Sequence, residues 1–245
     1  HDVKAKITGS ANWLPDAAGK PAKLVVGSYD STVRCLALED GKLMWSFTAG
    51  SYINGTPSIH NSLIVFGGCD ALLRVLDGNT GTESFSVEAG SYVAGSAAVA
   101  DSQAFFGNFE SQLICVGMVD RKIEWTYTDE QGGAPFLSSP AVGPDLIVVG
   151  SRDGCVHCLS RKTGKRIWVF RTSGDVDGSP VICGDKVLIG SSDGRLYLLS
   201  LSSGDVLWQY DIGEAITASP AVVPGLVAIG ADDGNVYGFT WSMDE

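Results

Sequence analysis

The chain is short of positive charge: 17 Lys and Arg stand against 28 Asp and Glu in 245 residues, a formal net charge of −11. Nucleic-acid binding leans on Lys and Arg against phosphate, and polybasic contact with anionic membranes needs the same side chains, so both partners are disfavoured. Histidine is scarce too, with only His1, His60 and His157. There is no HExxH, no nucleophile elbow and no Walker-type loop, so no catalytic residue is assigned; a Ser-His-Asp site that converges only in space leaves no such trace. No apolar run reaches the ~18 residues of a membrane-spanning helix. A signal peptide is also lacking, and the first residue is His1 rather than Met, which reads as a processed or trimmed N-terminus. The six cysteines form no disulfide framework. Cys155 and Cys158, three apart on a strand, fall on opposite faces roughly 10 Å apart, beyond the ~7 Å reach of a bridge.

Glycine, by contrast, is abundant, with 31 residues, and it is periodic. Gly27, Gly67, Gly107, Gly150, Gly190 and Gly230 each end an apolar run, at spacings of 40, 40, 43, 40 and 40. Three residues after each stands an acid (Asp30, Asp70, Glu110, Asp153, Asp193, Asp233). Six after it stands an aliphatic residue (Val33, Leu73, Leu113, Val156, Leu196, Val236). Eighteen after it come Trp45, Phe85, Trp125, Trp168 and Trp208.

Each unit reads as four short strands. Strand A is of the "SPAV" type. Strand B is the "LIVVGS" run, apolar on both faces. Strand C is of the "CVHCLS" type, and strand D carries two large residues two apart, hence on one face. Asp-Gly at 153–154, 193–194 and 233–234 signals a B–C hairpin. Asp40-Gly41, Thr80-Gly81, Thr163-Gly164 and Ser203-Gly204 turn C into D, whereas the third unit has Asp120-Arg121. Six four-stranded units of about 40 residues predict an all-β, six-bladed β-propeller of antiparallel blades, one domain over residues 1–245. The last unit stops before its own strand D. The alternation of "DVKAKI", with Ala5 and Ile7 at the expected positions, predicts that the N-terminal segment supplies that strand and closes the sixth blade.

The stretch "LSRKTGKRIWVF", with "SSPAV" and "IGSSDGRLYLLS" around it, resembles the pyrroloquinoline-quinone-like (PQQ-like) repeat with its tryptophan-docking motif, and the likeness covers all six units. Families that share it include quinoprotein alcohol dehydrogenases, BamB-like proteins, which are non-enzymatic, and the C-terminal propellers of some acyl-activating synthetase-like enzymes. The quinoprotein branch implies a vicinal Cys-Cys pair, a calcium site of Glu, Asn and Asp, and a catalytic Asp. This sequence has no adjacent cysteines and no motif that places the other two, so no cofactor and no metal are expected. A quinone- and calcium-dependent oxidoreductase, or another enzyme with an unrecognised loop site, is the alternative.

The remaining features have plain readings. The recurring acids cap their own B–C turns. Cys35, Cys115 and Cys158 fall in a core column, one CxxC without a second pair is a poor zinc signal, and His157 falls in a blade-surface column. Trp241 either packs on the N-terminal strand or faces a neighbouring domain.

Function is expected on the face where D–A loops and B–C turns meet, because variable loops on a rigid scaffold carry recognition. Fourteen before each Gly stand Trp13, Ile53, Val93, Phe136, Val176 and Ile216. Trp13, Tyr52, Tyr92 and Phe136, with Asp175 and Asp177, form the candidate recognition patch, since aromatics with a polar handle suit interfaces. The expected role is recognition or scaffolding by a monomeric propeller, holding a protein, peptide or small ligand, or a neighbouring domain of a longer chain. The resemblance implies export to a periplasm-like compartment, while the lack of disulfides fits the cytoplasm; both remain open. If the closing strand forms, deleting residues 1–8 lowers the melting temperature strongly; an unchanged value contradicts it.

Overall fold

The computed structural model describes residues 5–130 and 133–240. Among them there is no helix, and 23 strands form six antiparallel sheets, the blades of a six-bladed propeller. The chain divides into two compact units, residues 1–130 and 131–245. The first holds β1 (Asn12–Pro15), β2 (Pro21–Gly27), β3 (Thr32–Ala37) and β4 (Leu43–Thr48) in one sheet. Its second sheet is β5 (Ser58–His60), β6 (Leu63–Gly67), β7 (Leu72–Asp77) and β8 (Glu83–Glu88), and its third β9 (Ala98–Ala100), β10 (Gln103–Gly107), β11 (Gln112–Gly117) and β12 (Lys122–Thr128). The second unit holds β13 (Ala141–Val142), β14 (Leu146–Gly150), β15 (Cys155–Ser160) and β16 (Arg166–Arg171), then β17 (Val181–Cys183), β18 (Lys186–Gly190), β19 (Arg195–Ser200) and β20 (Val206–Asp211). Its last sheet has β21 (Ala221–Val223), β22 (Leu226–Gly230) and β23 (Val236–Thr240).

Strand order follows sequence order in every sheet, so each is a meander of hairpins. The B–C hairpins need a residue with positive φ. In the second unit glycine fills it (Gly154, Gly194, Gly234), but in the first unit Ser31, Ala71 and Ser111 sit there at φ of 67°, 60° and 60°. The C–D pairs all carry a β-bulge, directly after the residue opposite the strand-D aromatic: Cys35 faces Trp45, Cys158 faces Trp168, Leu198 faces Trp208. The added local twist of a bulge turns the wedge residue toward the next sheet.

Three contacts recur between successive sheets within each unit. The first seats a β-branched loop residue on the glycine that ends strand B. Ile53 lies on Gly27, Val93 on Gly67, Val176 on Gly150 and Ile216 on Gly190; a Cβ on Gly27 would meet Ile53 at 2.6 Å. The second docks strand-D tryptophans. Trp45 Nε1 donates to Gly78 O (3.1 Å) with its ring over Gly81, and Trp168 Nε1 donates to Leu201 O (2.9 Å) over Gly204. The third repeat, lacking that glycine, uses another pair: the Arg121 guanidinium lies 5.4 Å from the ring centre of Phe85, a cation–π contact in place of Trp on Gly. The third contact is a hydroxyl ladder through strand A. Ser10 N donates to Thr56 Oγ1 and Thr56 N to Ser96 Oγ in the first unit; Ser139 N donates to Ser179 Oγ and Ser179 N to Ser219 Oγ in the second.

The first repeat departs from the expected register. The Asp16–Lys20 turn inserts residues into its A–B hairpin, where Asp16 accepts from Ala18 N and Lys20 N. Trp13 therefore lies on β1, paired with Leu24, and "SANWLPDAAGKPA" is not a D–A loop. The D–A position belongs to Lys6 and Ile7: Tyr29 N donates to Lys6 O as Cys69 N does to Tyr52 O. The closing strand predicted over residues 2–7 is accordingly not seen in its described part, residues 5–7, and residues 1–4 lie outside the described residues. The sixth sheet has three strands among the described residues, and Trp241 also lies outside them. Deleting residues 1–8 would remove the Lys6 hydrogen bond to Tyr29 and the Thr8 hydrogen bond to Asn54.

Two substitutions test this packing. Ala71→Gly relieves a left-handed alanine and stabilises the protein by about 1 kcal/mol in urea unfolding. Trp168→Ala, at a docked and buried ring, costs about 3–5 kcal/mol in the same assay.

Candidate recognition face

Within each unit the D–A loops that join two sheets clasp both of their neighbours. Tyr52 O accepts from Cys69 N of its own sheet, while Ile53 N donates to Ser28 O of the preceding one. Tyr92 and Val93 do the same with Phe109 and Gly68, as do Asp175 and Val176 with Ser192 and Ser151. The side chain before the seated residue and the one two after the strand-B glycine are thereby set side by side at the loop end of each sheet.

In the first unit these pairs are Lys6 with Tyr29, Tyr52 with Cys69 and Tyr92 with Phe109, so four of the six residues are aromatic. Tyr29 and Tyr52 stack at 5.2 Å, and Tyr92 meets Phe109 edge-on at 6.1 Å. Tyr52 and Tyr92 are 53% and 54% exposed and Phe109 is also exposed, so the core does not use these rings. In the second unit none of the equivalent positions is aromatic. Pro135 stands with Arg152, Asp175 with Ser192, and Ala215 with Asp232. Arg152 holds Asp177 through its Nε and Nη2, at 2.9 and 2.8 Å.

Beneath the loops, the recurring acids act as turn caps. Asp30, Asp153, Asp193 and Asp233 each accept from the backbone N–H two residues on. Each also takes a donor four residues on: Arg34 Nη2 at 2.5 Å, His157 Nε2 at 3.0 Å, Tyr197 OH and Tyr237 OH at 2.6 Å. Asp70 pairs with Arg74 in the same way and in addition accepts from Gly50 N of the preceding loop. In the third repeat Asn108 takes over, accepting from Gln112 N, and Glu110 is exposed. The Arg34 hydrogen bond holds the Asp30 carboxyl down to about 2, against the effect of burial and with help from Thr32 and Ser28. At Asp153 burial works against the charge, but the His157 hydrogen bond and charge, with the Cys155 N–H, leave the carboxyl below its ordinary range.

His157, expected at a blade surface, is fully buried, edge-on to Phe136 at 5.3 Å. Sequence columns report which face a residue takes, not whether another sheet covers that face. Asp153, Cys155 and His157 bring three ligand atoms within 4.8 Å of one another, a donor set able to hold a metal ion. The recurrence of Arg or Tyr in the place of His157 accounts for the arrangement as a side chain donating to a turn-capping acid. Cys35, Cys115 and Cys158 are buried as expected, and burial pushes the Cys158 thiol up to about 12. No two of the six cysteines are adjacent in sequence, so the residues do not match the vicinal pair of quinoproteins.

Of the six candidates, Tyr52, Tyr92 and Asp175 stand exposed on the loop face. Asp177 is engaged by Arg152, Phe136 is buried, and Trp13 is exposed on β1. The sequence reading missed Tyr29, Phe109 and Arg152. Their column, two after each glycine, varies more in chemistry than its neighbours (Tyr29, Cys69, Phe109, Arg152, Ser192, Asp232), which was the available signal.

Antiparallel blades joined by docked tryptophans and seated loop residues define a β-propeller of PQQ-like repeats. A family model described as outer membrane protein assembly factor BamB matches residues 4–128 and 115–242, and the chain belongs to that family. Among solved structures it is similar to BamB from Moraxella catarrhalis, at 20% identity over 98% of this chain and 75% of that one, with a TM-score of 0.78. It is also similar to the computationally designed Ika8 protein, at 17% identity over 97% of this chain and 72% of that one, with a TM-score of 0.81. No curated protein matches the sequence. At these identities the structures speak for the fold alone. The BamB-like fold is that of a protein-interaction or scaffold module, and no helix among the described residues is long and apolar enough to cross a membrane.

The Asp30 carboxylate, with its lowered pKa, stabilises the fold above the ordinary carboxylate range, and that contribution is lost as pH falls from about 4 to 2. Asp30→Asn is therefore less stable than the parent at pH 7 in urea unfolding, and the difference narrows through that window.

Proposed function

We propose that the protein is a non-enzymatic recognition module that holds a protein or peptide segment on its loop face, through the ring pairs Tyr29–Tyr52 and Tyr92–Phe109. The observation that carries this reading is the exposure of Tyr52, Tyr92 and Phe109, with Tyr29 half-buried against Tyr52, on loops held by backbone hydrogen bonds. Rigid aromatic surface lowers the ordering cost of binding, and the tyrosine hydroxyls add directional hydrogen bonds.

A displayed random-peptide library panned on the protein provides the test, with a Tyr52→Ala/Tyr92→Ala/Phe109→Ala triple variant as comparison. Selected peptides bind the variant at least tenfold more weakly, while its melting temperature stays within a few degrees of the parent because exposed rings contribute little to stability. Equal binding by the variant refutes the reading.

A further inference from the structure

The B–C hairpin of the fourth sheet departs from its equivalents at two positions, and the two departures meet. Seven residues after the strand-B glycine the other repeats carry Arg34, Arg74, Ile114, Tyr197 and Tyr237, while the fourth carries His157. Arg and Tyr serve there as donors to the capping acid, and that role accounts for His157 beside Asp153. It leaves a thiol unexplained. Five after the glycine the others carry Thr32, Leu72, Gln112, Arg195 and Asn235, and the fourth alone carries Cys155. Thr32 Oγ1 and Asn235 Nδ2 donate to the carboxylates of their own caps, at 2.6 and 2.8 Å. Cys155 Sγ instead makes a weak 3.8 Å contact with the Asp153 carbonyl oxygen, so the cap gains nothing from sulfur.

Asp153, Cys155 and His157 alternate from the turn into β15 and so fall on one face. Their ligand atoms lie within 4.8 Å of one another, with Asp153 Oδ2 and His157 Nε2 at 3.0 Å. Four-coordinate zinc holds thiolate sulfur at ~2.3 Å and nitrogen or oxygen at ~2.0 Å, which sets ligand separations of roughly 3.3–3.6 Å. The carboxylate is already aimed: Asp153 Oδ1 accepts from Cys155 N at 2.8 Å, which turns Oδ2 toward the ring. Such a hydrogen bond on a ligating carboxylate is the outer support that metal sites use.

We propose that Asp153 Oδ2, Cys155 Sγ and His157 Nε2 form a zinc site, with water as the fourth ligand on the side of the B–C turn. The charges fit a buried divalent ion. One carboxylate and one thiolate cancel two positive charges, which removes the penalty of a net charge at a place where His157 is 0% and Cys155 2% exposed. The neighbouring cation, Arg152, is held by Asp177. Sulfur and imidazole select zinc over calcium or magnesium, which take oxygen ligands. On binding, the Cys155 thiol gives its proton to solvent and the imidazole carries its proton on Nδ1, leaving Nε2 for the metal. Asp153 is the ligand that reaches solvent, its side chain 17% exposed, so the ion enters at the turn. Once bound it ties the turn to β15, directly beside Arg152 of the loop face.

The test titrates the protein, dialysed against a chelator, with Co²⁺ and then Zn²⁺. One equivalent of Co²⁺ gives the visible bands of a tetrahedral site and a thiolate-to-cobalt charge-transfer band in the near ultraviolet, and Zn²⁺ removes both. Zinc at about a hundred times its dissociation constant raises the melting temperature by at least about 5 °C. Cys155→Thr, which copies the first repeat, abolishes the charge-transfer band and weakens zinc binding at least about tenfold; His157→Tyr, which copies the fifth, weakens it as much. Cys183→Ser leaves the band and the affinity unchanged. A parent protein without the charge-transfer band overturns the proposal, whether or not the variants fold. A band that survives Cys155→Thr overturns it by assigning the metal to another thiol. Binding without the band overturns it as well, since the ion then sits on imidazole or carboxylate alone.

Discussion

The packing rests on the seat between a strand-ending glycine and a β-branched loop residue. At Gly27, Gly67, Gly150 and Gly190 the missing side chain lets the next D–A loop come down onto the sheet, and Ile or Val fills the space. That contact fixes the spacing of neighbouring sheets, and the other two contacts act at the distance it sets. The tryptophan reaches the following turn only because the sheets are this close, and the serine N–H reaches the next hydroxyl for the same reason. A protein interior at crystal-like density leaves little room for such a joint to be loose.

The clasped loops also explain how recognition can sit on this scaffold at little cost. Backbone bonds to both neighbouring sheets hold the residues at the loop face, so their side chains are released from packing duty. In the first unit that freedom is given to rings, and in the second to acids and Arg152. The turn-capping acids beneath are common to both, which is why they carry structure and the residues above them carry the difference.

Much of this was legible in the sequence because it recurs. Six glycines at a near-constant spacing marked the blades, the acids marked the hairpins, and the strand-D aromatics marked the wedges. The first repeat misled where its insertion fell. Counting back from Gly27 put Trp13 in the place of Ile7, because spacing alone does not say which loop absorbs extra residues. His157 misled for a different reason: its column alternates Arg, Ile, Tyr and His, and hydropathy gives no sign that the ring is fully buried, edge-on to Phe136. The Arg121 exception was visible as a departure, but its pairing with Phe85 required the two residues, 36 apart in sequence, to be seen in contact.

By itself the sequence determined the secondary structure, the number of blades and the family, since these follow from local periodicity repeated many times over. Tertiary structure alone decided which aromatic residues are core and which are exposed, and whether Phe136 or Phe109 meets solvent. Those properties depend on what lies opposite a residue from a distant part of the chain, and no single repeat encodes its neighbour.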